Sequence, residues 1–425
     1  MTEESWISKL KRDGYAAADA IKSTYPMEWA VDGFLPAIGT SIWFGAGATG
    51  KTQLLLTLAA QIARPLGNEP HKWLEENVNV CGRILVLSAE DLWGDLMRRL
   101  GGIVSSLQVD TEIQEEICSR IHIVPFLSMT SAEFDAKNPC LFFRGDTREW
   151  EPTRTLKEIE AYIEEWNSTA SPRDRIVGVI MDSATTMAGF ETTNAEATTN
   201  FLFYLNRLCV RQSLFWAIIG HTLKDNKFDP DNPQINAVAR LRGSAMWSTT
   251  PRSVVEVRLA HEEENLGRIQ GIDRRDILIV NVVKANSYQA SRTPRYLQRI
   301  EGAAFKDITS LAPRISEGGE IVRMYSDEEI SRLSAVFDLV SELFDNSARG
   351  RVTFRELSKK FEESSANDPF IQMDGNPRHD PGKAPHGGFA WCLHQIQNKN
   401  GIHYYRQGFD RGDLASARKI LTEGR

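Results

Sequence analysis

The chain has 425 residues, 41% of them hydrophobic and 25% charged, which suits a globular protein of two or three domains with a large buried core. Its formal net charge of −7 gives no overall support for nucleic-acid binding, which would need a local basic surface. No apolar run approaches the ~20 residues that span a bilayer, so we expect no membrane contact. The acidic first residues predict no secretory signal, and five scattered cysteines predict free thiols in a reducing cytoplasm.

The first predicted element is a helical lead-in over residues 1–30, which packs either on the following core or on a neighbouring subunit. After it, residues 40–44 form a short β-prone run, and residues 53–64 are good helix formers without glycine or proline. The residues that join this strand to this helix match the pattern G-x-x-x-x-G-K-[ST] in full: Gly45, Ala46, Gly47, Ala48, Thr49, Gly50, Lys51 and Thr52.

Strand, glycine-rich loop and helix in this order predict a phosphate-binding loop, rather than a glycine-rich turn that matches by chance. Glycines allow the backbone N–H groups to curl around an anion, and the N-terminus of the helix adds its positive dipole end. Lys51 would then reach the β- and γ-phosphates, and the Thr52 hydroxyl would hold Mg²⁺. The chain is therefore predicted to bind a nucleoside triphosphate.

The rest of the core alternates between strands and helices. Strands are predicted at residues 83–88, 121–125, 176–183, 215–219, 253–259 and 277–283, helices at 91–100, 156–166 and 196–212, and a hairpin or irregular segment around 141–143. This alternation indicates a doubly wound parallel sheet with right-handed crossovers. Ligands bind at the carboxyl ends of such strands, where Gly45, Glu90 and Asp182 fall.

Asp182 follows an apolar run, which is the Walker B form. In that form the carboxylate at the strand end holds the water shell of Mg²⁺. The alternative is a buried strand that ends in a capping aspartate. Downstream of a complete phosphate-binding loop, the metal-binding interpretation is favoured.

Beyond residue 325 the composition changes, and a separate, mainly helical domain is predicted. Helical patterns and a short strand there resemble a winged helix, at residues 330–344, 353–361, 389–397 and 403–405. The expected organisation is a lead-in over 1–30, a core domain over 31–325 and a C-terminal domain over 326–425.

Together, six sequence segments resemble the RecA-like ATPases of the plasmid RepA helicase type, over about residues 28–300. They are the phosphate-binding loop, Ala89-Glu90-Asp91, Val179 to Ser183, Gly220-His221-Thr222-Leu223-Lys224, Arg242-Gly243-Ser244 and Lys284-Ala285-Asn286. The resemblance implies an α/β fold, a RecA-like P-loop NTPase core with a mostly parallel twisted sheet. It also implies cytoplasmic rings, typically hexamers, that use ATP and Mg²⁺ to move along single-stranded DNA. The family often has two adjacent histidines where this chain has Gly220-His221, so γ-phosphate sensing would rest on His221.

The chemistry of hydrolysis makes the same assignments sensible, because an attacking water must be oriented and the developing charge stabilised. Glu90, expected at the end of the strand beside the P-loop strand, would orient the water; alternatively it caps the helix that begins at Asp91. His221 would form a hydrogen bond with the γ-phosphate and transmit the loss of this phosphate to the following loop. Alternatively, it is a buried histidine whose hydrogen bonds are made within the protein. Arg242 would be an arginine finger that reaches the ATP of a neighbouring subunit, or a solvated or phosphate-binding arginine.

Two residues compete with Arg242 or support it. Arg240 is an alternative finger, and Lys284, at a strand end, could support the same contact with the neighbour. The loops at 184–200 and 222–240 would line the channel of a ring and contact single-stranded DNA, with Arg240 among the contacting residues; ordinary polar loops are the alternative.

The favoured hypothesis is a replicative DNA helicase of a phage, plasmid or mobile element, with a possible replication-protein partner at the C-terminal domain. The second is a RecA-like, DNA-associated ATPase without unwinding activity, such as a recombination mediator or regulatory switch. A small-molecule kinase is disfavoured, because it has no obvious use for the strand-end histidine and the Arg-Gly-Ser pattern.

Overall fold

The computed structural model describes residues 7–8, 27–65, 71–134, 139–223, 237–262, 264, 266, 269, 271–287, 289–291, 293–300, 304–312, 314–315, 321–322, 327–346, 352–353, 356, 359–360, 363 and 392–393. The strands in these segments are β1 (Trp29–Val31), β2 (Leu35–Pro36), β3 (Gly39–Gly45), β4 (Lys72–Trp73), β5 (Glu76–Asn77), β6 (Arg83–Ser88), β7 (Ile121–Pro125), β8 (Phe142–Arg144), β9 (Trp150–Pro152), β10 (Ile176–Asp182), β11 (Phe215–His221), β12 (Ser253–Leu259), β13 (Ile277–Ala285), β14 (Arg295–Ile300), β15 (Ala304–Asp307), β16 (Arg314–Ile315) and β17 (Ile321–Val322). The α-helices are α1 (Lys51–Ala63), α2 (Trp93–Ser106), α3 (Thr111–Ser119), α4 (Arg154–Thr169), α5 (Ala184–Met187), α6 (Ala195–Gln212), α7 (Met246–Thr249) and α8 (Asp327–Asp345). Among the helices so described, none combines the length and the apolar character that crossing a bilayer demands.

A nine-stranded sheet forms the centre, in the order β15-β14-β13-β12-β3-β11-β10-β6-β7. The six strands from β12 to β7 are parallel to their neighbours, whereas β13, β14 and β15 extend the sheet in antiparallel fashion. The predicted mostly parallel sheet of an α/β core is therefore confirmed. The antiparallel extension from β13 onward was not predicted.

Both faces of this sheet are covered by helices, which explains the continuous apolar runs of its strands. All seven residues of β3 are buried. Successive side chains point to opposite faces, so Trp43 lies in the core cluster that contains residues of α1, α2 and α3, while Ile42 and Phe44 lie in the cluster that contains residues of α4 and α6. Helices therefore pack on both faces of the sheet, and the loops that follow the parallel strands lie at the edge formed by the carboxyl ends of these strands.

One expectation about strand neighbours was wrong. β6, which ends just before Glu90, does not lie beside the P-loop strand β3, because β11 and β10 lie between them. In a doubly wound sheet, strands later in the chain can insert between earlier ones, so chain order does not give spatial order. Glu90 nevertheless reaches the same carboxyl edge as the loop after β3.

The C-terminal prediction is only partly covered by the described residues. The helical pattern at 330–344 corresponds to α8. The other elements expected there, at 353–361, 389–397 and 403–405, fall where isolated residues at most are described. The winged-helix resemblance and the boundary near residue 325 therefore stay predictions, as does the lead-in over 1–30.

Candidate nucleotide-binding site

The phosphate-binding loop joins β3 to α1 and is held by its own lysine. Ala48 and Gly50 have φ values of +59° and +101°, a left-handed geometry that turns successive N–H groups to one side of the loop. Lys51 Nζ donates to the carbonyl oxygens of Gly45, at 3.0 Å, and Ala46, at 2.6 Å. Burial lowers the pKa of Lys51, and the carboxylates of Asp182 and Glu90 act in the opposite direction. An ammonium group therefore lies inside the loop, close to two carboxylates.

Thr52 and Asp182 meet beside this lysine and form the candidate metal site. Thr52 Oγ1 donates to Asp182 Oδ2 at 2.5 Å. A hydroxyl and a carboxylate oxygen are ligands that suit Mg²⁺, which keeps several waters and binds substrate phosphates. The described residues contain no group of three or more His, Cys, Asp or Glu side chains that could cage an ion. Thr52 and Asp182 would therefore hold Mg²⁺ together with waters and nucleotide oxygens.

Glu90 is the carboxylate that opens toward this site. Its Oε1 accepts a hydrogen bond from Ser183 Oγ at 2.5 Å and lies 3.8 Å from His221 Nε2. The His221 side chain lowers the pKa of Glu90, with further lowering from Ser183 and Lys51 against the opposing effect of partial burial. Glu90 is therefore ionised at neutral pH and able to accept a proton or orient a water molecule.

The helix-cap alternative for Glu90 is not supported. α2 begins at Trp93, two residues later than expected, with Leu92 at its N-cap and no side-chain cap. The neighbouring Asp91 is engaged elsewhere, because Arg99 Nη1 and Nη2 donate to its two oxygens at 2.5 and 3.1 Å. Of the two adjacent acids, Glu90 is the one whose partners are Ser183 and His221.

These groups surround one open cavity of about 350 Å³ at the carboxyl end of the sheet. Its lining includes Lys51, Thr52, Glu90, Asp182 and His221. The lining combines a lysine, two arginines, an imidazole and three carboxylates with the phosphate-binding loop. It can therefore accept a polyanion with its metal ion and a reacting water. Residues named from four separate stretches of sequence thus converge on one space.

Arg242 and Lys284 are not among the described residues that line this cavity. The exposed Arg242 is joined to the site through its backbone, since its N–H donates to the carbonyl oxygen of His221 at 2.8 Å. Lys284 Nζ donates to the carbonyl oxygens of Thr249, at 3.1 Å, and Pro251. Burial lowers the pKa of Lys284. As far as the described contacts extend, neither side chain acts on the cavity of its own subunit in this conformation.

Arg240, the alternative finger, is buried in an ion pair. Its Nε and Nη2 donate to the two carboxylate oxygens of Glu256 at 2.6 and 2.5 Å, and both side chains are almost fully buried. A guanidinium in this position cannot reach a neighbouring subunit or DNA. The idea that Arg240 serves as finger or DNA contact is therefore wrong for this conformation, and Arg242 remains.

The expected channel loops are shorter than predicted where they are described. Within 184–200, residues Ala184–Met187 form α5 and α6 begins at Ala195, so only the segment between them is a loop. Within 222–240, residues 237–240 form a single 3₁₀ turn, and 224–236 lie outside the described residues. DNA contact by either loop stays a prediction.

Asp182 makes the metal-free protein sensitive to pH. Burial raises its pKa from an ordinary value of 3.8 to about 6, with Glu90 and Asp91 adding to the shift and Thr52 and Lys51 opposing it. Between these two pH values the folded protein keeps a proton that the unfolded chain has lost. Stability from Asp182 is therefore fully present below pH ~4 and lost as the pH rises through about 6.

We expect Asp182→Asn to gain stability over wild type as the pH rises, because the amide cannot ionise in the buried site. The difference in free energy of unfolding should grow by about 3 kcal/mol from pH ~4 to pH ~8. Urea unfolding in EDTA, at matched ionic strength, measures it. A difference that is the same at every pH would show that Asp182 ionises in the folded protein as it does in the unfolded chain.

Three residues at the site had no functional prediction. Ser183 follows the Walker B aspartate directly, so its position next to the site was visible in the sequence. Arg99 lies in α2, eight residues after Asp91, which precedes that helix, so no helical spacing links the two in the sequence. Arg299 also lines the cavity, and nothing in its local sequence marks it.

Comparison with known proteins gives one family match and two distant structural likenesses. A family model described as an AAA domain matches residues 8–227. No curated protein matches the sequence. The RadB recombinase has a TM-score of 0.37 and 11% identity, over 65% of this chain and 92% of that protein. A solved ATPase domain has a TM-score of 0.43 and 10% identity, over 72% of this chain and 100% of that domain. Neither structural likeness is close enough to assign a function.

Proposed function

The chain belongs to the AAA-domain family, whose model spans more than half of it, and is a P-loop ATPase; we propose that it is a RecA-like motor, driven by ATP, that acts on single-stranded DNA. In this proposal the motor is a ring that unwinds DNA, and the resemblance to the RepA helicase type favours a hexamer. The observation that supports it best is the convergence of Lys51, Asp182, Glu90 and His221 on one cavity.

The proposed hydrolysis uses these side chains in separate roles. Lys51 neutralises charge on the β- and γ-phosphates of ATP, and Glu90, as a carboxylate, orients the attacking water. Mg²⁺, held by Thr52 and Asp182, would supply further charge neutralisation on the phosphate oxygens. Ser183 keeps Glu90 directed toward the cavity through its 2.5 Å hydrogen bond.

Coupling of hydrolysis to movement is supported by the backbone hydrogen bonds that join the end of β11 to residues 240–242. The carbonyl oxygen of His221 accepts from the N–H of Arg242 at 2.8 Å, and the N–H of Leu223 donates to the carbonyl oxygen of Arg240 at 3.0 Å. Thr222 and Leu241 form an antiparallel bridge between these contacts. A movement of His221 on loss of the γ-phosphate would therefore be transmitted to Arg242, and to Leu223 and Arg240 on either side of the residues proposed to contact DNA.

Hydrolysis of ATP with and without single-stranded DNA tests this function. We expect wild-type turnover to rise when an oligonucleotide is added, because the proposed coupling joins the DNA-contacting loop to the nucleotide site. A forked duplex with a labelled strand then measures unwinding, and native mass spectrometry with ATP and DNA measures ring size. Lys51→Ala serves as the inactive control.

Each outcome separates the hypotheses. Stimulation with strand displacement supports a helicase, whereas stimulation without displacement indicates the DNA-associated ATPase of the second hypothesis. If single-stranded DNA leaves the ATP turnover of the wild-type protein unchanged, whatever its oligomeric state, the proposed action on DNA is ruled out.

A further inference from the structure

Arg299 lies on β14, outside every motif in the sequence, yet its side chain contacts the phosphate-binding loop. Its Nη2 donates hydrogen bonds to the main-chain oxygens of Ala48, at 3.3 Å, and of Thr49. The same guanidinium lines the nucleotide cavity. The loop is thus held by two cations: Lys51 bonds the carbonyls at its start, and Arg299 bonds those just before α1.

The direction of β14 accounts for this position. β12 is parallel to the P-loop strand β3, β13 is antiparallel to β12, and β14 is antiparallel to β13. Two reversals return β14 to the direction of β3. Its last residues therefore lie at the same edge of the sheet as the loop that follows β3.

The two carbonyl contacts fix the direction of two amide groups. A peptide unit is planar and trans, so the N–H of Thr49 points opposite to the carbonyl of Ala48. The N–H of Gly50 likewise points opposite to the carbonyl of Thr49. With both carbonyls bonded to Arg299, both N–H groups point away from its guanidinium. N–H groups of such loops cradle the α- and β-phosphates.

Gly50 leaves the room that this contact occupies. A Cβ atom at this position would lie 2.9 Å from Arg299 Nη2, closer than such contacts allow. Any side chain at position 50 would therefore displace the guanidinium, in addition to the strain at its φ of +101°.

We propose that Arg299 is a positioning residue of the nucleotide site, which turns the N–H groups of Thr49 and Gly50 toward the β-phosphate before the nucleotide binds. This inference rests on the proposed function, because it assigns a role within the ATP site. ATP and ADP both carry a β-phosphate, so the contact made by Arg299 should raise the binding affinity of both nucleotides by the same factor. The antiparallel extension of the sheet then becomes part of the nucleotide site.

Arg299→Met tests the inference, because methionine keeps the apolar stem and removes the guanidinium. We expect the Kd values for ATP and for ADP, measured by calorimetry with Mg²⁺, to rise by the same factor of about 10, the scale of a lost hydrogen bond to a charged group. Arg299→Lys, which retains a cation with several donors, should recover most of the loss. Arg295→Met is the matched control, since Arg295 lies on the same strand and pairs with Glu76 away from the loop.

Three results would overturn the inference. The affinity could fall for ATP alone, which indicates a γ-phosphate contact, or it could fall for neither nucleotide. The third is an equal fall in affinity in Arg295→Met. If circular dichroism shows Arg299→Met to be unfolded, Arg299→Gln takes its place. Equal rises in the Kd values for ATP and ADP support positioning, whereas a changed ratio or two unchanged Kd values overturn it. Wild-type protein that binds neither nucleotide would instead contradict the proposed function.

Discussion

Arg242→Ala is expected to bind ATP as wild type does and to hydrolyse it about 10³- to 10⁵-fold more slowly, the range that arginine fingers contribute. Binding should persist because Arg242 does not line the cavity of its own subunit among the described residues. The loss should appear in kcat, since the guanidinium would stabilise charge that develops at the ATP of a neighbour. Steady-state ATPase assays with calorimetric ATP titrations measure both quantities.

Mixing two inactive variants tests whether Arg242 acts between subunits. In rings that combine Arg242→Ala with Lys51→Ala, an intact Lys51 site can face an intact Arg242 from the neighbour. Some activity should therefore return at intermediate mixing ratios, once subunit exchange is verified by native mass spectrometry. Arg207→Ala, which removes an exposed arginine of α6, controls for the loss of a surface charge.

No activity at any mixing ratio would mean that Arg242 acts within its own subunit or only in folding. Arg240→Ala is not an equivalent variant, because it leaves Glu256 buried without its bidentate partner. Removing one partner of a buried ion pair costs about 3–5 kcal/mol of stability, so that variant reports on folding rather than on a finger.

Glu90→Gln is expected to keep ATP bound and to lower kcat at least ~100-fold, the scale of a general base or water-positioning residue. The amide keeps the size of the side chain and can still accept from Ser183, but it has lost the charge that orients the water. Single-turnover hydrolysis separates the chemical step from product release and checks that the loss lies in chemistry.

Asp91→Asn is the matched control for Glu90→Gln, because it makes the same change one residue later. We expect a smaller effect on kcat there, since Asp91 is paired with Arg99 rather than directed at His221. If Asp91→Asn has the larger effect and Glu90→Gln has little, the water-positioning carboxylate has been assigned one residue too early.

Much of the core could be predicted because its signals are local. A buried parallel strand needs a continuous apolar run, and such runs placed β3, β6, β10 and β11 to within a residue or two. The strands β14 and β15 were missed because they lie in a segment that mixes polar and apolar residues. Sequence patterns also gave no sign that β11 and β10 separate β6 from β3.

The sequence alone predicted which groups would bind phosphate and metal. Lys51 and Thr52 belong to a motif whose residue types and spacing are set by the geometry of one turn. Asp182 and Glu90 lie at the ends of apolar strand runs, which had to end at the ligand edge. These assignments depend on contacts between residues close in sequence, or on a rule that holds for all parallel sheets.

Only the tertiary structure decided which charged residues face the cavity and which are used elsewhere. Arg240 and Arg242 are two residues apart, yet one is buried against Glu256 and the other is exposed. Arg299 contacts Thr49 of the phosphate-binding loop across a sequence separation of 250 residues. A guanidinium is long and its partner is chosen by the packing of distant strands, so no local pattern of residues can reveal it.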